Sequence, residues 1–418
     1  MSSSSHNGPV CLVRGSINID EFYDVPQIVR PGQTISAIST SKRLGGKGAN
    51  QAKAAACAGA VVLMDGAVGS GTEGREVIQE LCAEVKGVKE PGVDVEALGS
   101  QGRILEERIR VWEQGSTGKA VIQRARDGEN SIIILAGANF SQASEQYSPL
   151  IPPATTHLLL ANEIPYESTL EYLNAASSSK DRKITSIYNP SPMPPAEQLK
   201  TFPWHQVDWL IVNEGELGDI AGSLFNDDSA IELEKDVKDA VENLTKAAAK
   251  DTVDDEAAIK VAKALHVSLP QLNNTDSKHT VNIICTLGAK GVLYTCSAAA
   301  DQSEPRVKRL RAARLLRPIK DTTGAGDCFM GYLAAGLMRL QQEGKKEDDE
   351  AAFDEVIKRC LTVSIQCFSN SVSDHIADTL LDDAQACSIC VENEGAQDSY
   401  GTIAQVEARL AANPIEEV

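Results

Sequence analysis

The sequence predicts an α/β fold, with a doubly wound, mainly parallel central sheet and a small antiparallel β-sheet lid. Short apolar runs recur along the chain, and each ends in polar or glycine residues. Buried parallel strands have this composition, and their carboxyl ends form the ligand-binding edge of such a sheet. Residues 103–136 instead alternate in character around Asp127-Gly128, a β-hairpin signal. These two patterns give the two sheets of the prediction.

The chain of 418 residues is interpreted as a single domain spanning 1–418. The lid is assigned to residues 19–43 and 103–136. Two stretches break the pattern of strands and helices and are predicted to be solvated insertions. They are the acidic, alanine-rich residues 224–260, predicted to be partly helical, and the polar residues 368–386.

Composition argues against several classes of function. The formal net charge is −19 and no long basic run offsets it, so nucleic acid and anionic membrane surfaces are poor partners. The ten cysteines lack the regular spacing of a disulfide scaffold, and the CxxC at Cys387–Cys390 has no second pair for a zinc site. The sequence shows no apolar signal segment and no run long enough to cross a membrane. We therefore expect a protein of the cytosol, or of the nucleus as well.

The first apolar run, Val10-Cys11-Leu12-Val13, predicts a buried strand. Asn18 and Asp20 follow it two residues apart, so on an extended chain they face the same side. Both side chains can accept hydrogen bonds from sugar hydroxyls. A solvated loop explains the same residues equally well at this point.

A glycine-rich helix start comes next, at Gly45-Gly46-Lys47-Gly48-Ala49-Asn50-Gln51-Ala52. It has neither the spacing of a P-loop nor that of a dinucleotide-binding turn. A close backbone approach with Lys47 and Asn50 beside it suits a compact polyol better than a pyrophosphate.

Four more apolar runs in the second half of the chain end in polar or glycine residues, and each is predicted to be a strand. They cover residues 157–160, 184–188, 207–212 and 281–285. The residues that follow them are Asn162-Glu163, Asn189-Pro190, Asn213-Glu214-Gly215-Glu216 and Thr286-Leu287-Gly288-Ala289-Lys290-Gly291. We expect these residues to meet at the carboxyl edge of the sheet.

The stretch Asp321-Thr322-Thr323-Gly324-Ala325-Gly326-Asp327 precedes an apolar helical run. Its glycines allow a tight turn, and the following helix offers unpaired N–H groups and the positive end of its dipole to an anion. A phosphate held beside the Asp327 carboxylate is what phosphoryl transfer to a hydroxyl needs. The alternative is an ordinary helix start after a glycine turn.

The two glycine-rich stretches, in this order, resemble the signatures of the ribokinase branch of the PfkB carbohydrate kinase family. The resemblance covers about residues 9–410, apart from the insertions. It implies one kinase domain that uses ATP to phosphorylate the 5-hydroxyl of D-ribose, giving ribose 5-phosphate. The implied cofactors are ATP, Mg²⁺ and a monovalent cation, K⁺.

The resemblance also implies a role for each matching residue. Asp327 is the implied general base, and Gly324, Ala325 and Gly326 are the implied anion hole. The implied sugar-binding residues are Asn18, Asp20, Gly46, Lys47, Asn50, Glu163 and Asp327. The implied nucleotide-binding residues are Asn213, Glu216, Thr286, Leu287, Gly288, Ala289, Lys290, Gly291, Gly326 and Asp327, with Glu216 acting on Mg²⁺ through water. The implied K⁺ ligands are Asp321, Thr323, Cys390, Asn393, Gly395 and Ser399.

Several alternatives stay open. A related kinase could act on another sugar or a nucleoside. A bare polyol is favoured over a nucleoside by the polar residues Asn18, Asp20, Lys47, Asn50 and Glu163. A non-catalytic sugar sensor would be expected to have lost Asp327 or the glycines. A Rossmann dehydrogenase would need a GxGxxG turn after the first strand, which the sequence lacks. An exposed lid edge would suit a homodimer in which two lids pair.

Overall fold

A computed structural model describes most of the chain. The described residues are 8–83, 102–126, 129–141, 150–225, 234–248, 254–272, 279–296, 305–313, 324–346, 349–363, 397 and 400–415.

Nine strands form the central sheet within these residues. In spatial order they are β13 (Arg306–Leu310), β12 (Val292–Cys296), β11 (Asn282–Thr286), β10 (Trp209–Asn213), β9 (Thr185–Asn189), β8 (Thr155–Ala161), β1 (Val10–Arg14), β4 (Val61–Gly69) and β5 (Arg103–Trp112). Neighbours from β11 to β5 pair in parallel, whereas β12 pairs antiparallel with β11 and with β13. The predicted mainly parallel sheet is confirmed.

The strand order reverses at β1. The chain runs from β1 to β4 and β5 on one side, and then returns to β8 on the other side of β1. All five residues of β1 are buried, as expected for a central strand covered on both faces. A reversal of this kind leaves a crevice at the carboxyl ends of β1 and β8, where ligands bind in open α/β sheets.

Ten α-helices cover the two faces of the central sheet in the described residues. They are α1 (Lys47–Cys57), α2 (Thr72–Leu81), α3 (Tyr166–Ser177), α4 (Ala196–Thr201), α5 (Glu214–Leu224), α6 (Lys235–Ala248), α7 (Asp255–Ser268), α8 (Ala325–Gln342), α9 (Glu350–Val363) and α10 (Ile403–Ala412). One hydrophobic core joins α1, α8, α9 and α10 to the sheet, and a second joins α3, α5, α6 and α7 to the opposite face. The doubly wound arrangement is therefore confirmed.

The second sheet, here called the lid, has four described strands in the order β3 (Ser39–Gly45), β2 (Asn18–Val25), β6 (Gly118–Ala125) and β7 (Asn130–Leu135). The pairs β2–β3 and β6–β7 are antiparallel, as predicted, but β2 and β6 pair in parallel. The predicted turn residues Asp127 and Gly128 lie outside the described residues.

The assignment of residues 103–112 to the lid is wrong. They form β5, which pairs in parallel with β4 at the edge of the central sheet. Ile104 is buried in the core on that sheet, while neighbouring side chains reach the surface. A half-buried edge strand alternates in the same way as a lid strand, so alternation alone could not assign the segment to one sheet or the other.

The predicted insertion at 224–260 contains packed helices. α6 buries Ala240 and Leu244, and α7 buries Ala258 and Val261 in the second hydrophobic core. The solvated surface role expected for this stretch is therefore wrong for these buried faces. The described acidic residues of α6, Asp236, Asp239 and Glu242, lie on its exposed face. Residues 368–386 lie outside the described chain.

Among the described residues, no helix combines the length and apolar character needed to span a bilayer.

Candidate active site

One carboxylate joins the two strands at the switch point. Ser16 follows β1 and donates from Oγ to Glu163 Oε2 at 2.6 Å. The backbone N–H of Lys47 donates to the same oxygen at 3.0 Å. Glu163, predicted to bind sugar, therefore also ties the end of β1 to the first turn of α1.

The glycine turn before α1 makes direct backbone contact with the end of β1. Gly46 has φ 86°, in the left-handed region that favours glycine. A Cβ on Gly48 would come within 2.5 Å of Gly15 C and 2.6 Å of Ser16 N. Only glycine permits this approach, which brings Lys47 and Asn50 to the crevice.

The side chain of Asn18 is held by Asn139. Asn139 Nδ2 donates to Asn18 Oδ1 at 2.7 Å, and its Oδ1 accepts the Ile17 N–H at 2.8 Å. Asn139 is buried in a short 3₁₀ turn just after β7. It therefore couples the lid to the predicted sugar side of the crevice.

Asp20 lies close enough to other carboxylates for them to affect its titration. Burial, together with the negative charges of Glu163 and Asp327, raises its pKa to about 7. A cluster of carboxylates accepts hydrogen bonds from hydroxyl groups and repels negative charge. This side of the crevice therefore suits an uncharged ligand rich in hydroxyls.

The predicted glycine turn and helix start at 324–327 are confirmed. Gly324 caps α8 with φ 75°, and the first helical hydrogen bond runs from Cys328 N–H to Gly324 O at 2.8 Å. The N–H groups of Ala325 and Gly326 precede that bond and have no partner within the helix. They are positioned to bind an anion at the positive end of the helix dipole.

Asp327, in the first turn of α8, is buried and held by two amides. Asn50 Nδ2 donates to Oδ2 and Gln51 Nε2 donates to Oδ1, each at 3.0 Å. Burial raises the pKa of Asp327, and this outweighs the lowering by Lys47 and by the two amides. A raised pKa makes the carboxylate a stronger base than an ordinary aspartate.

Lys47 lies among carboxylates. Burial lowers its pKa, but Asp327, Glu163 and Glu216 outweigh that effect and raise it. The lysine is therefore held as a cation beside the 324–326 turn.

A cavity of about 110 Å³ lies beside Lys47 and Asp327, on the predicted phosphate side of the site. Its lining includes Lys47, Asp327, the 324–326 turn, Asn213 and Thr286 at the ends of β10 and β11, and Glu216 in the first turn of α5. The structure thus brings residues from several separate predicted segments to one place.

Asn213 and Glu216 cap α5 reciprocally. Glu216 N–H donates to Asn213 Oδ1 at 2.8 Å, and Asn213 N–H donates to Glu216 Oε2 at 3.0 Å. This capping box fixes both side chains at a helix N-terminus that faces the cavity. Within the described residues no three carboxylate, histidine or cysteine side chains form a metal cage. With the phosphates of a nucleotide, the single carboxylate of Glu216 would fit Mg²⁺, which keeps much of its water.

The predicted nucleotide loop, residues 286–291, begins at the cavity. Of these residues, Thr286 lines the cavity, whereas the Leu287 side chain packs in the hydrophobic core. Lys290 Nζ donates to Asp255 Oδ1 at 3.2 Å, and Asp255 also pairs with Arg309 at 2.7 Å. The first residue of α7 therefore contacts the outer part of this loop.

The carboxyl-terminal segment reaches the same centre. Gln397 Nε2 donates to Asn50 Oδ1 at 3.0 Å, and the Tyr400 hydroxyl donates to Gly324 O at 3.1 Å. The implied K⁺ ligands Asp321, Thr323, Cys390, Asn393, Gly395 and Ser399 all lie outside the described residues.

Sequence reasoning missed four residues that position this site: Ser16, Gln51, Asn139 and Gln397. Ser16 and Gln51 adjoin or belong to the predicted motifs, and this adjacency was the available signal. Gln397 likewise lies between the implied K⁺ ligands Gly395 and Ser399. Asn139 belongs to no predicted motif, and its partners Asn18 and Ile17 are over a hundred residues away.

A larger cavity of about 470 Å³ lies elsewhere, at the amino ends of the central strands. Its lining includes His157, Thr185, Trp209 and Asn282, near the starts of β8 to β11. The predicted site residues lie at the opposite edge, so the smaller cavity is the candidate active site.

Comparisons with known proteins agree with this geometry. A model of the pfkB family carbohydrate kinases matches residues 10–253. The chain is 28% identical to a ribokinase of Haemophilus influenzae over 348 residues, which cover 83% of this chain and 88% of that protein. It is similar to the crystal structure of a ribokinase from Cryptococcus neoformans in complex with ADP, with 40% identity, a TM-score of 0.67 and coverage of 96% and 100%. The structure of Arabidopsis thaliana ribokinase complexed with ribose and ATP shares the fold, with 22% identity, a TM-score of 0.59 and coverage of 96% and 98%.

Fold, site and comparisons together define a phosphotransferase that acts on a small molecule. More particularly, the chain belongs to the pfkB family of carbohydrate kinases.

Proposed function

We propose that this kinase transfers the γ-phosphoryl group of ATP to the 5-hydroxyl of D-ribose, giving ribose 5-phosphate and ADP. The observation that carries the proposal is the position of Asp327. Its carboxylate lies at the junction of the hydroxyl-binding residues of α1 and the anion-binding turn of α8. The ribokinases to which the chain is similar support ribose as the substrate.

The proposed reaction uses groups already described. Asn18, Asp20, Asn50 and Glu163 orient the sugar, and its 5-hydroxyl faces Asp327. The hydroxyl oxygen forms a bond to the γ-phosphorus, its proton passes to Asp327, and the bond from the γ-phosphorus to the bridging oxygen of ADP breaks. The N–H groups of the 324–326 turn and the Lys47 ammonium stabilise charge on the transferring group.

A coupled ADP-release assay tests the proposal. D-Ribose is compared with fructose, other pentoses and adenosine at fixed Mg-ATP. We expect D-ribose to give the highest kcat/KM. We also expect NMR to show that the phosphate of the product is on the 5-position. A kinase for another sugar or a nucleoside is the second candidate. If one of those compounds has a higher kcat/KM than D-ribose, that compound becomes the proposed substrate. The polar character of Asn18, Asp20 and Glu163 favours the bare sugar over a nucleoside base.

We propose Mg²⁺ beside Glu216 and K⁺ behind the anion-binding turn. When bound, Mg²⁺ neutralises phosphate charge and K⁺ braces the turn. Tyr400 supports the K⁺ site. It follows the implied ligand Ser399 in the sequence, and its hydroxyl donates to Gly324 O in the turn. We expect turnover at fixed Mg-ATP to fall when K⁺ is replaced by Na⁺. Equal rates in the two salts would remove K⁺ from the proposal.

We propose that two chains pair through the lid edge. Strand β7 ends the four-stranded order of the described lid, and Ile132, Ile133, Ile134 and Leu135 are 53%, 63%, 57% and 55% exposed. An apolar edge strand of this kind pairs readily with another strand. We expect Ile133→Lys to shift the protein from dimer to monomer in sedimentation velocity, whereas Val267→Lys, at an exposed position on α7, should not. A monomeric wild-type protein would refute the pairing.

We place the protein in the cytosol, or in the nucleus as well. The six cysteines whose side chains the structure describes form no disulfide, which suits a reducing compartment. Fractionation that finds the protein in an oxidising compartment would contradict this placement.

A further inference from the structure

The carboxylate of Asp327 is held at both oxygens, by side chains far away in sequence. Asn50 donates to Oδ2 and Gln51 donates to Oδ1, each at 3.0 Å. Two donors at the two oxygens oppose rotation of the carboxylate plane. Asn50 has an implied role in sugar binding, whereas Gln51 has none.

The side chain of Gln51 destabilises the fold through one of its polar atoms. It is 0% exposed, and its Oε1 has no hydrogen-bond partner among the described residues. A buried acceptor without a partner is destabilising. Its Nε2 donates to Asp327, so the role of the amide lies in that contact and not in satisfying the core.

Two features of the fold hold this arrangement in place. Gly331 lets α8 approach α1 so closely that a Cβ there would lie 2.6 Å from the backbone oxygen of Gln51. Gln397 orients the neighbouring Asn50, because its Nε2 donates to Asn50 Oδ1 and the Asn50 Nδ2 then faces Asp327. Three amide side chains thus position one carboxylate.

We propose that Gln51 is a positioning residue for phosphoryl transfer, whose side-chain N–H keeps the Asp327 carboxylate ionised and oriented to accept the proton of the attacking hydroxyl. The inference rests on the proposed function, in which Asp327 is the base. Gln397 supports the same arrangement through Asn50.

The charged groups that face Asp327 set the sign of the expected effect. Lys47 lowers the pKa of Asp327, and Glu163 raises it. The carboxylates of Asp20 and Asp327 also repel each other. A hydrogen bond donated to a carboxylate favours its ionised form. Loss of the Gln51 donor therefore raises the pKa of Asp327. As the pH is lowered, the variant should lose activity at a higher pH than wild type does.

The test compares the pH profile of kcat/KM in wild type, Gln51→Leu and Gln51→Met. We expect the acid limb to move up by about one pH unit in both variants, from the loss of one charge-assisted hydrogen bond. At pH 7, kcat should fall about tenfold. This is less than the 10²–10⁴-fold that a general base contributes, because the base is still present in the variants. KM for ATP should stay within about twofold, because nucleotide residues are untouched.

Gln405→Leu is the matched control, because Gln405 is a buried glutamine in α10 that bonds the backbone N–H of Thr402. It should lower the melting temperature without moving the acid limb. The inference would be overturned if the acid limb of the kcat/KM profile stays at the wild-type pH in both Gln51 variants. It would also be overturned if kcat falls only in proportion to the drop in melting temperature.

A titration without turnover separates this inference from the proposed function. The ¹³C carboxyl signal of Asp327 is assigned by its loss in Asp327→Asn and then titrated in wild type and Gln51→Leu. We expect the signal to titrate about one pH unit higher in the variant. If wild type phosphorylates no sugar, the proposed function fails; if the signal titrates at the same pH in both proteins, the role of Gln51 fails.

Discussion

Asp327→Asn should lower kcat by about 10²–10⁴-fold, the usual contribution of a general base, and leave nucleotide binding nearly intact. An amide cannot accept the hydroxyl proton, whereas the N–H groups of the 324–326 turn and the capped Asn213–Glu216 pair are unchanged. The fold should tolerate the substitution. Gln51 has an Oε1 without a partner in the described chain, so its amide can rotate and accept a hydrogen bond from the introduced amide group.

The measurement is kcat from ADP release, with ATP affinity from calorimetry on the same preparation. Asp219→Asn, at an exposed position on α5, is the control and should keep wild-type turnover. Turnover by Asp327→Asn within about tenfold of wild type would contradict the assignment of the base. Loss of ATP affinity along with turnover would show that the substitution had disturbed the turn itself.

Gly331→Ala should damage the site from a distance. A Cβ at this position would lie 2.5 Å from Ala54 Cβ and from Ala55 N, so α1 and α8 would have to separate. Overpacking of this kind costs about 1–3 kcal/mol of stability. Since α1 carries Asn50 and Gln51 while α8 carries Asp327, we also expect kcat/KM to fall about 10²-fold, as for other small displacements of reacting groups.

Gly222→Ala gives the matched comparison within another helix, α5. The nearest atom to a Cβ there is Thr245 Oγ1 at 3.8 Å, an ordinary contact. This variant should be stabilised by about 0.5–1 kcal/mol in urea unfolding and keep its activity. If Gly331→Ala has wild-type kcat/KM, the close approach of α1 and α8 does not hold the site together.

Five strands of the central sheet, β1 and β8 to β11, could be predicted because the information is local, whereas β12 and β13 were not predicted. Each apolar run in a parallel sheet is buried on both faces, so Val10–Val13 and 207–212 are recognisable from their own composition. The helix starts at Gly46 and Gly324 were also readable, since glycine is needed where the backbone takes a positive φ. The resemblance of these two motifs to one family gave the predicted sugar and phosphate sides of the site.

The assignment of residues 103–112 could not be made in the same way. The segment alternates as an edge strand does in either sheet, and its partner, β4, is chosen by tertiary packing. The helices α6 and α7 pose the same difficulty, because their acidic outer faces hide an apolar inner face until the neighbouring α5 is placed.

The strands β1 and β8 to β11 and the two glycine turns follow from local sequence, since backbone conformation and burial pattern act over a few neighbouring residues. The surroundings of Asp327 depend on tertiary contacts instead. Its two amide donors lie 277 and 276 residues away along the chain. Their approach depends on Gly331 at the contact between α1 and α8, and hydrogen bonds across such a contact leave no periodic pattern in the sequence.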